Sequence, residues 1–301
     1  MRRNIVQDLS TLSPSSNLAS LGRGFNSKLP GVIRLAVGLI WLTSVDWKVP
    51  PDFGRAARSG LWRLLTQGVD HPVFAPYSWL IEHVLRPNIG VFGWVVIAVE
   101  VGLAILLLSG TFTKAAAFIG IGQATLIMLA GMKAPGQWYW TYPMLIVLHL
   151  AVIALDAGGV WGIDGIRRRH RVDPVSAERS MRTGRIALTT LLGTLGFLTV
   201  MFQADQPLLT PLYPESGVGF ISGTVGLGIV FIGAAASVWW LADKPEGGTA
   251  GYLMLAFALV AVLTYQTPLN VFSATPSAAV ILAIAAIFLL VVPTDRNQAE
   301  V

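Results

Sequence analysis

The chain has 301 residues, of which 54% are hydrophobic and only 12% are charged, and its net charge is +5. A soluble domain carries roughly 25% charged residues, so this composition argues against a water-soluble protein and predicts a polytopic membrane protein. The chain contains no cysteine, which excludes disulfides, thiolate zinc sites and cysteine-ligated iron–sulfur clusters. Its basic residues cluster between apolar segments, so membrane topology explains them better than nucleic-acid binding does.

Eight apolar segments follow a polar N-terminal stretch. Residues 1–30 contain four basic side chains and no apolar run, which predicts a cytoplasmic tail rather than a signal peptide. A helix needs about 20 apolar residues to cross a bilayer. The predicted spans are 31–47, 89–109, 113–132, 138–157, 185–203, 217–241, 249–267 and 277–293. Because only helices or closed barrels satisfy the backbone in lipid, we expect an all-α membrane bundle of about eight helices.

The eight spans divide into two groups of four. We expect a first membrane domain at 31–165, a basic cytoplasmic linker at 166–184 and a second four-helix domain at 185–301. Similar glycine-containing motifs open the spans at 88–93 and 216–220. Two interpretations stay open here: a degenerate repeat of the two halves, or chance similarity between apolar segments.

Basic residues predict the orientation of the spans. Seven arginines lie between residues 166 and 185, which predicts that this loop is cytoplasmic. Four spans on each side of it then place both termini in the cytoplasm and the connections 48–88 and 204–216 outside. The segment 48–88 is long and rich in aromatic and basic residues, which is typical of interfacial helices. We expect two of them, near 52–67 and 75–86, separated at Asp70-His71-Pro72.

Two ionisable residues lie near the middle of first-half spans. Glu100 follows the start of its span by about twelve residues, and His149 follows Trp138 by about eleven, so both lie near mid-bilayer at about 1.5 Å per residue. Ionisable residues at this depth are costly and often functional. The pair could pass a proton or hold a quinone head group as catalytic residues. The alternative is an interhelical hydrogen bond that locks the bundle.

Five further residues are candidates for binding a ligand. Lys48 ends the first span, where it either marks a helix boundary or attracts an anion at the mouth of an outer pocket. Lys133 begins an outer turn that leads into Trp138 and Trp140, which are either interfacial anchors or the wall of a site for a planar ring. Gln123 is a polar candidate for the same cavity.

Other polar groups are interpreted as structural. Asp156, at the cytoplasmic end of the fourth span, is a predicted partner of Arg34. Glycines 223, 226 and 228 are typical of close helix packing. The sequence contains no Walker motif, nucleotide fingerprint or zinc-ligand spacing, so no metal site is predicted.

Several short motifs resemble the DoxX/DoxD family, over about residues 31–165. They are Gly38-Leu39-Ile40-Trp41-Leu42, Trp47-Lys48-Val49-Pro50-Pro51-Asp52-Phe53, Glu100-Val101-Gly102, Leu108-Ser109-Gly110-Thr111-Phe112-Thr113-Lys114, the Trp-rich turn and the Gly-Gly-X-X-Gly-Ile-Asp run that ends at Asp164. The family includes the membrane subunit of thiosulfate:quinone oxidoreductase. The resemblance therefore implies a quinone-linked oxidoreductase subunit of the respiratory chain, with quinone as its cofactor.

The sequence leaves three functions open. The first is the quinone-linked subunit, the second is a non-catalytic accessory subunit of an energy-converting membrane complex, and the third is a carrier of a small solute or lipid. We expect a multi-pass protein of a prokaryotic plasma membrane. We expect lipid and other membrane subunits as its partners, and no nucleic acid.

Overall fold

The computed structural model describes residues 14–48, 50–203, 224–264, 269, 272 and 274–291, with backbone alone for 14–26 and 46. Within these ranges the chain is all-helical and contains no strand. The helices are α1 (Pro14–Val45), α2 (Gly60–Asp70), α3 (Ala75–Leu80), α4 (Ile89–Ser109), α5 (Thr113–Gly131), α6 (Thr141–Ala154), α7 (Ile163–Val172), α8 (Pro174–Phe202), α9 (Val225–Leu241), α10 (Glu246–Leu263) and α11 (Pro276–Val291). The prediction of a helical membrane bundle is confirmed.

Five of these helices are long and apolar enough to cross a membrane. They are the Ser27–Val45 part of α1, together with α4, α5, α8 and α10. The other three predicted spans correspond to the shorter apolar helices α6, α9 and α11. The 14 residues of α6 reach only about 21 Å at 1.5 Å per residue, against a hydrocarbon core of about 30 Å. The described residues therefore support five full-length spans rather than eight.

The two polar segments predicted as a tail and a linker are largely helical. Helix α1 begins at Pro14 and continues through Pro30 into the first span, so the described part of the predicted tail is helical. The segment 166–184 lies in α7 and the first turns of α8. Asp173 caps α8, because its side chain accepts a hydrogen bond from Ser176 N. The predicted outer loop 204–216 and the motif 216–220 lie outside the described residues.

The connection between α1 and α4 contains the two predicted short helices with a different first boundary. The break at His71 and Pro72 is confirmed, and α3 continues into a π-helical turn at Ile81–Leu85. However, α2 begins at Gly60 rather than near residue 52. The Asp52 carboxylate accepts hydrogen bonds from the backbone N–H groups of Gly54 and Ala56, at 3.0 and 3.1 Å. This local turn competes with helix formation.

The two halves of the chain pack against each other. Helix α11 contacts both α1 and α4, and Val280 is part of the first-half core around Trp41 and Leu107. Ser277 Oγ also donates a 3.5 Å hydrogen bond to Leu42 O. Within the second half, a Cβ atom added at Gly196 would lie 2.8 Å from Gly228 O, so α8 and α9 cross at glycine, as small-residue packing predicts.

Arg34 joins α1 to the ends of two other segments. Its side chain is fully buried. It donates to Leu107 O, to Leu108 O at 2.9 Å, to Val160 O at 3.2 Å and to Trp161 O at 3.1 Å. The first two acceptors are near the C-terminal end of α4, where carbonyl groups lack intrahelical partners. Asp156, the predicted partner of Arg34, pairs instead with Lys114 and Arg168.

We expect Arg34→Gln to lower the free energy of unfolding in detergent by at least about 2 kcal/mol, because interhelical hydrogen bonds in membranes average about 0.6 kcal/mol each and an amide cannot replace four of them. Thermal melts followed by circular dichroism would measure the change. Arg58→Gln, at an exposed arginine, is the matched control. Equal melting temperatures for the two variants would contradict this role of Arg34.

Candidate functional site

A buried ion pair lies between α1 and α4. Glu100 is in the middle of α4, about 16 Å along the helix from Ile89, and its side chain is fully buried. Lys48 follows the end of α1, and its Nζ lies 3.0 Å from Glu100 Oε1 with only 1% of its side chain exposed. Burying two charges costs free energy that is recovered only when geometry and additional hydrogen bonds are good. The pair therefore depends on its neighbours.

Those neighbours complete a closed polar network. Ser44 Oγ donates to Glu100 Oε2 at 3.1 Å, and Gln123 Nε2 donates to Oε1 at 3.3 Å. Lys48 Nζ donates in turn to Ser44 Oγ at 3.4 Å and lies 3.4 Å from the centroid of the Trp47 ring. Both carboxylate oxygens thus have donors, and the ammonium has two oxygen partners and an aromatic face. We call Ser44, Lys48, Glu100 and Gln123 the polar network.

The polar network borders an apolar pocket of about 300 Å³. Lys48, Glu100 and Gln123 line it together with apolar side chains of α2, α4 and α5 and the segment from Tyr77 to Leu85. Val95 on α4 and Leu126 on α5 also line the pocket, and they are 56% and 45% exposed. Because both helices are of spanning length, these two residues put the pocket mouth on the lipid-facing surface.

One polar side chain from the interfacial segment also lines this pocket. Tyr77 belongs to α3, and burial raises the pKa of its phenol to about 12. The hydroxyl is therefore protonated at neutral pH and can donate a hydrogen bond. The pocket thus combines an apolar wall with an ammonium, an amide, a phenol and a carboxylate.

A second cavity, of about 450 Å³, lies on the other side of Ser44. It is more polar, because Arg63, Gln67, Gln137 and Tyr142 contribute to its lining. The two cavities share Leu64 and Ile127 as wall residues. Ser44 lines the second cavity while it is hydrogen-bonded to Glu100 in the first, so its hydroxyl connects the two.

His149 is not the partner of Glu100. Its Nε2 accepts a 2.9 Å hydrogen bond from Trp41 Nε1, and its Nδ1 lies 2.8 Å from Leu145 O. A neutral imidazole protonated at Nδ1 satisfies both contacts. The prediction of a direct Glu100–His149 pair was wrong, because similar depth on two helices does not fix which faces meet. The geometry favours the alternative prediction for His149, an interhelical hydrogen bond that locks α6 to α1.

The remaining predicted ligand residues lie apart from the polar network. Lys133 is exposed and donates to Pro72 O at 3.1 Å, which ties α5 to the interfacial segment. Trp138 and Trp140 are 68% and 48% exposed, and their rings contact each other with centroids 5.4 Å apart. This exposure is typical of interfacial anchors. Of the five predicted ligand residues, Lys48 and Gln123 contact Glu100.

Sequence reasoning missed Ser44, Trp41 and Tyr77. One signal was available for Ser44, which lies four residues before Lys48 and therefore on the same helix face. Trp41 lies three residues before Ser44 and extends that face. Tyr77 offered no signal, because its position depends on how the interfacial segment folds back over α4 and α5.

No family model, curated protein sequence or solved structure matches this chain. The resemblance to the DoxX/DoxD family therefore rests on the short motifs alone and stays a prediction.

Gly120 is the position on α5 that admits the His149 ring. A Cβ atom there would lie 2.1 Å from His149 Nε2. We expect Gly120→Ala to lower the free energy of unfolding by about 1–3 kcal/mol, as overpacking does, with loss of the Trp41–His149 hydrogen bond. Gly122→Ala is the matched control, since no atom lies within 4 Å of its added Cβ, and it should raise stability by up to about 1 kcal/mol. Thermal melts in detergent measure both, and equal effects would exclude the steric explanation.

Proposed function

We propose that this chain is the quinone-binding membrane subunit of a quinone-linked oxidoreductase. The observation that supports this most directly is the pairing of a buried, charged polar network with an apolar pocket whose mouth faces lipid. A lipid-soluble ligand with a polar ring could enter between α4 and α5 and meet Lys48, Gln123 and Glu100 at the far end. Ligand sites in general combine an apolar lining with a few convergent polar groups.

The residues present fit a quinone. The Lys48 ammonium and the Gln123 amide carry N–H groups that could donate to ring carbonyl oxygens, and Tyr77 carries a protonated hydroxyl. The branched and aromatic side chains of the pocket suit a ring and an isoprenoid tail. The cavity volume of about 300 Å³ is at the lower limit of ligand pockets, about 300 Å³, so we expect the ring inside and the tail in lipid.

A quinone, when bound, takes up two electrons and two protons and becomes a quinol. Glu100 supplies the group that can hold and pass a proton at its Oε atoms, and Lys48 keeps its carboxylate partnered while it is charged. Ser44 Oγ lies between Glu100 and the more polar second cavity. A proton that Glu100 has passed on could be replaced from that cavity. The electrons come from a donor outside this chain, and the family resemblance makes thiosulfate the first candidate.

We further propose eight membrane crossings with both termini in the cytoplasm of a prokaryote. The arginine-rich α7 and the start of α8 support a cytoplasmic position for this region. The short helices α6, α9 and α11 are apolar and would cross where the bilayer thins or where their flanking turns extend into the headgroups.

The central test of the quinone proposal is Glu100→Gln. This variant keeps the shape of the side chain and removes its charge and its capacity to exchange a proton. We expect its affinity for an added short-chain ubiquinone to fall by about tenfold or more, because the variant removes the charge that holds the Lys48 ammonium in place as a donor to a ring carbonyl. Such a charge-assisted contact is worth about 1.5–3 kcal/mol. Equilibrium binding in mild detergent and extraction of co-purified quinone would measure it. Glu82→Gln, at an exposed carboxylate beside His83, is the matched control.

Stability has to be separated from binding in that experiment. Glu100→Gln leaves the Lys48 ammonium buried without its carboxylate, which can cost about 3–5 kcal/mol. The double variant Lys48→Gln, Glu100→Gln removes both charges, so it should be more stable than the sum of the single effects implies.

A folded Glu100→Gln protein with unchanged quinone affinity would overturn the role of Glu100. A phospholipid co-purifying in place of quinone would favour the carrier, and fixed co-purification with a larger complex but no quinone would favour the accessory subunit.

The topology is tested by single cysteines, since the natural chain has none. Tyr139 and Val172 lie before and after α6 and are 67% and 86% exposed. We expect Tyr139→Cys to react with a membrane-impermeant maleimide in intact cells, and Val172→Cys to react only after the membrane is opened. Labelling of both from the same side would show that α6 does not cross.

A further inference from the structure

A basic cleft lies at the opposite end of the first-half bundle from Lys48. It has a volume of about 420 Å³ and forms where the turn between α4 and α5 meets α7. Four cationic side chains and two carboxylates line it: Lys114, Arg167, Arg168, Arg171, Asp156 and Asp164. The cleft therefore carries an excess of two positive charges.

The depth of this cleft in the membrane follows from helices α4 and α5, whose connecting turn forms part of its wall. Helices α4 and α5 are both of spanning length and are connected by the three residues 110–112. Such a short turn between two spans must lie at the membrane surface. Phe112, which lines the cleft, is 64% exposed, as expected of an aromatic side chain among lipid headgroups.

Structural contacts account for both carboxylates. Asp164 accepts hydrogen bonds from the backbone N–H groups of Phe112 and Thr113, at 3.0 and 2.9 Å, and so caps α5. Asp156 pairs with Arg168 and with Lys114 Nζ, the latter at 3.3 Å. The hydrogen bond from Arg168 lowers the pKa of Asp156 below its ordinary value, so this carboxyl is ionised at neutral pH.

Two arginines of the cleft then have no carboxylate partner in the described part of the chain. Arg167 lies with its Cζ atom 5.9 Å from the centroid of the Phe112 ring, and Arg171 is exposed. Thr113 Oγ1, in the wall of the cleft, is buried and has no hydrogen-bond partner among the described residues. Guanidinium groups bind phosphate oxygens in a bidentate way. A phosphate would therefore suit the two arginines and the Thr113 hydroxyl of the cleft.

An apolar strip continues from the cleft into the membrane. Phe118 and Ile119 follow Lys114 by about one helical turn on α5 and are 64% and 51% exposed. A ligand with a phosphate at the cleft would therefore have hydrocarbon-contacting side chains directly beneath it. A free anion would make no use of this strip, whereas a phospholipid would.

We propose that the cleft between the α4–α5 turn and α7 binds the phosphate headgroup of an anionic phospholipid, with Arg167 and Arg171 as the residues that engage the phosphate. This site is separate from the quinone pocket and does not rest on quinone binding, whereas its cytoplasmic position rests on the topology proposed above. Basic pockets near the cytoplasmic ends of membrane helices are where anionic headgroups are expected to bind.

The experiment is native mass spectrometry of the full chain in detergent, titrated with phosphatidylglycerol or with phosphatidylcholine. We expect tighter binding of phosphatidylglycerol to the wild-type protein. The double variant Arg167→Gln, Arg171→Gln should lose about tenfold or more of that affinity, since it loses two charge-assisted contacts. Arg55→Gln, Arg58→Gln removes the same charge from exposed positions of the interfacial segment and should change the affinity little.

Three outcomes would overturn the proposal. The first is equal binding of the two lipids by the wild-type protein. The second is an equal loss in both double variants, which would indicate only diffuse electrostatic attraction. The third is displacement of phosphatidylglycerol by millimolar inorganic phosphate, which would indicate a free-anion site. Arg167→Lys, Arg171→Lys keeps the charge but not the bidentate geometry, so it should retain an intermediate affinity. Melting temperatures of all variants establish that each is folded.

Discussion

The buried ionisable groups of the first half meet on one stripe of α1 and the turn that follows it. Arg34 donates to carbonyls of α4 and of the α6–α7 turn, Trp41 donates to His149 on α6, and Ser44 and Lys48 bind Glu100 on α4. The spacing of these four positions by seven, three and four residues keeps them on one helix face. In hydrocarbon each such group is costly unless it is partnered, so the position of α1 determines whether the other helices can bury theirs.

This constraint leaves the remaining contacts around α1 largely apolar. Once α1 partners the polar groups, α5 contacts both α4 and α6 through small and branched apolar residues. Gly120 leaves the space that the His149 ring needs, and α11 closes the other side of α1 with Val280 and Ser277. A buried ion pair is weak evidence for stability by itself. Its clearer consequence is specificity, because an alternative arrangement of α1 would leave Glu100 or Lys48 unpartnered.

The sequence predicted the elements of this fold better than their contacts. Apolar length located every described membrane helix, and mid-span depth correctly singled out Glu100 and His149 as buried polar residues. The partner of Glu100 was not predictable from depth, because the rotation of each helix and the choice of neighbour depend on packing across the bundle.

The position of Lys48 was ambiguous for a second reason. Its position follows the end of α1, but its long side chain reaches back along the helix to Ser44 and Glu100. The early start predicted for α2 failed because a single Asp52 side chain satisfies two backbone N–H groups locally.

The arrangement of partners on α1 also makes its two ends respond differently to charge. The hydrogen-bond acceptors of Arg34 are carbonyl groups, which do not titrate. At the other end, Glu100 attracts Lys48 only while it is ionised, and Ser44 donates to the same carboxylate. Protonation of Glu100 would remove the Coulomb attraction at one end of α1 while the contacts of Arg34 and Trp41 persist. Loss of the Glu100 charge would therefore act directly on Lys48 and on Ser44, which also lines the second cavity.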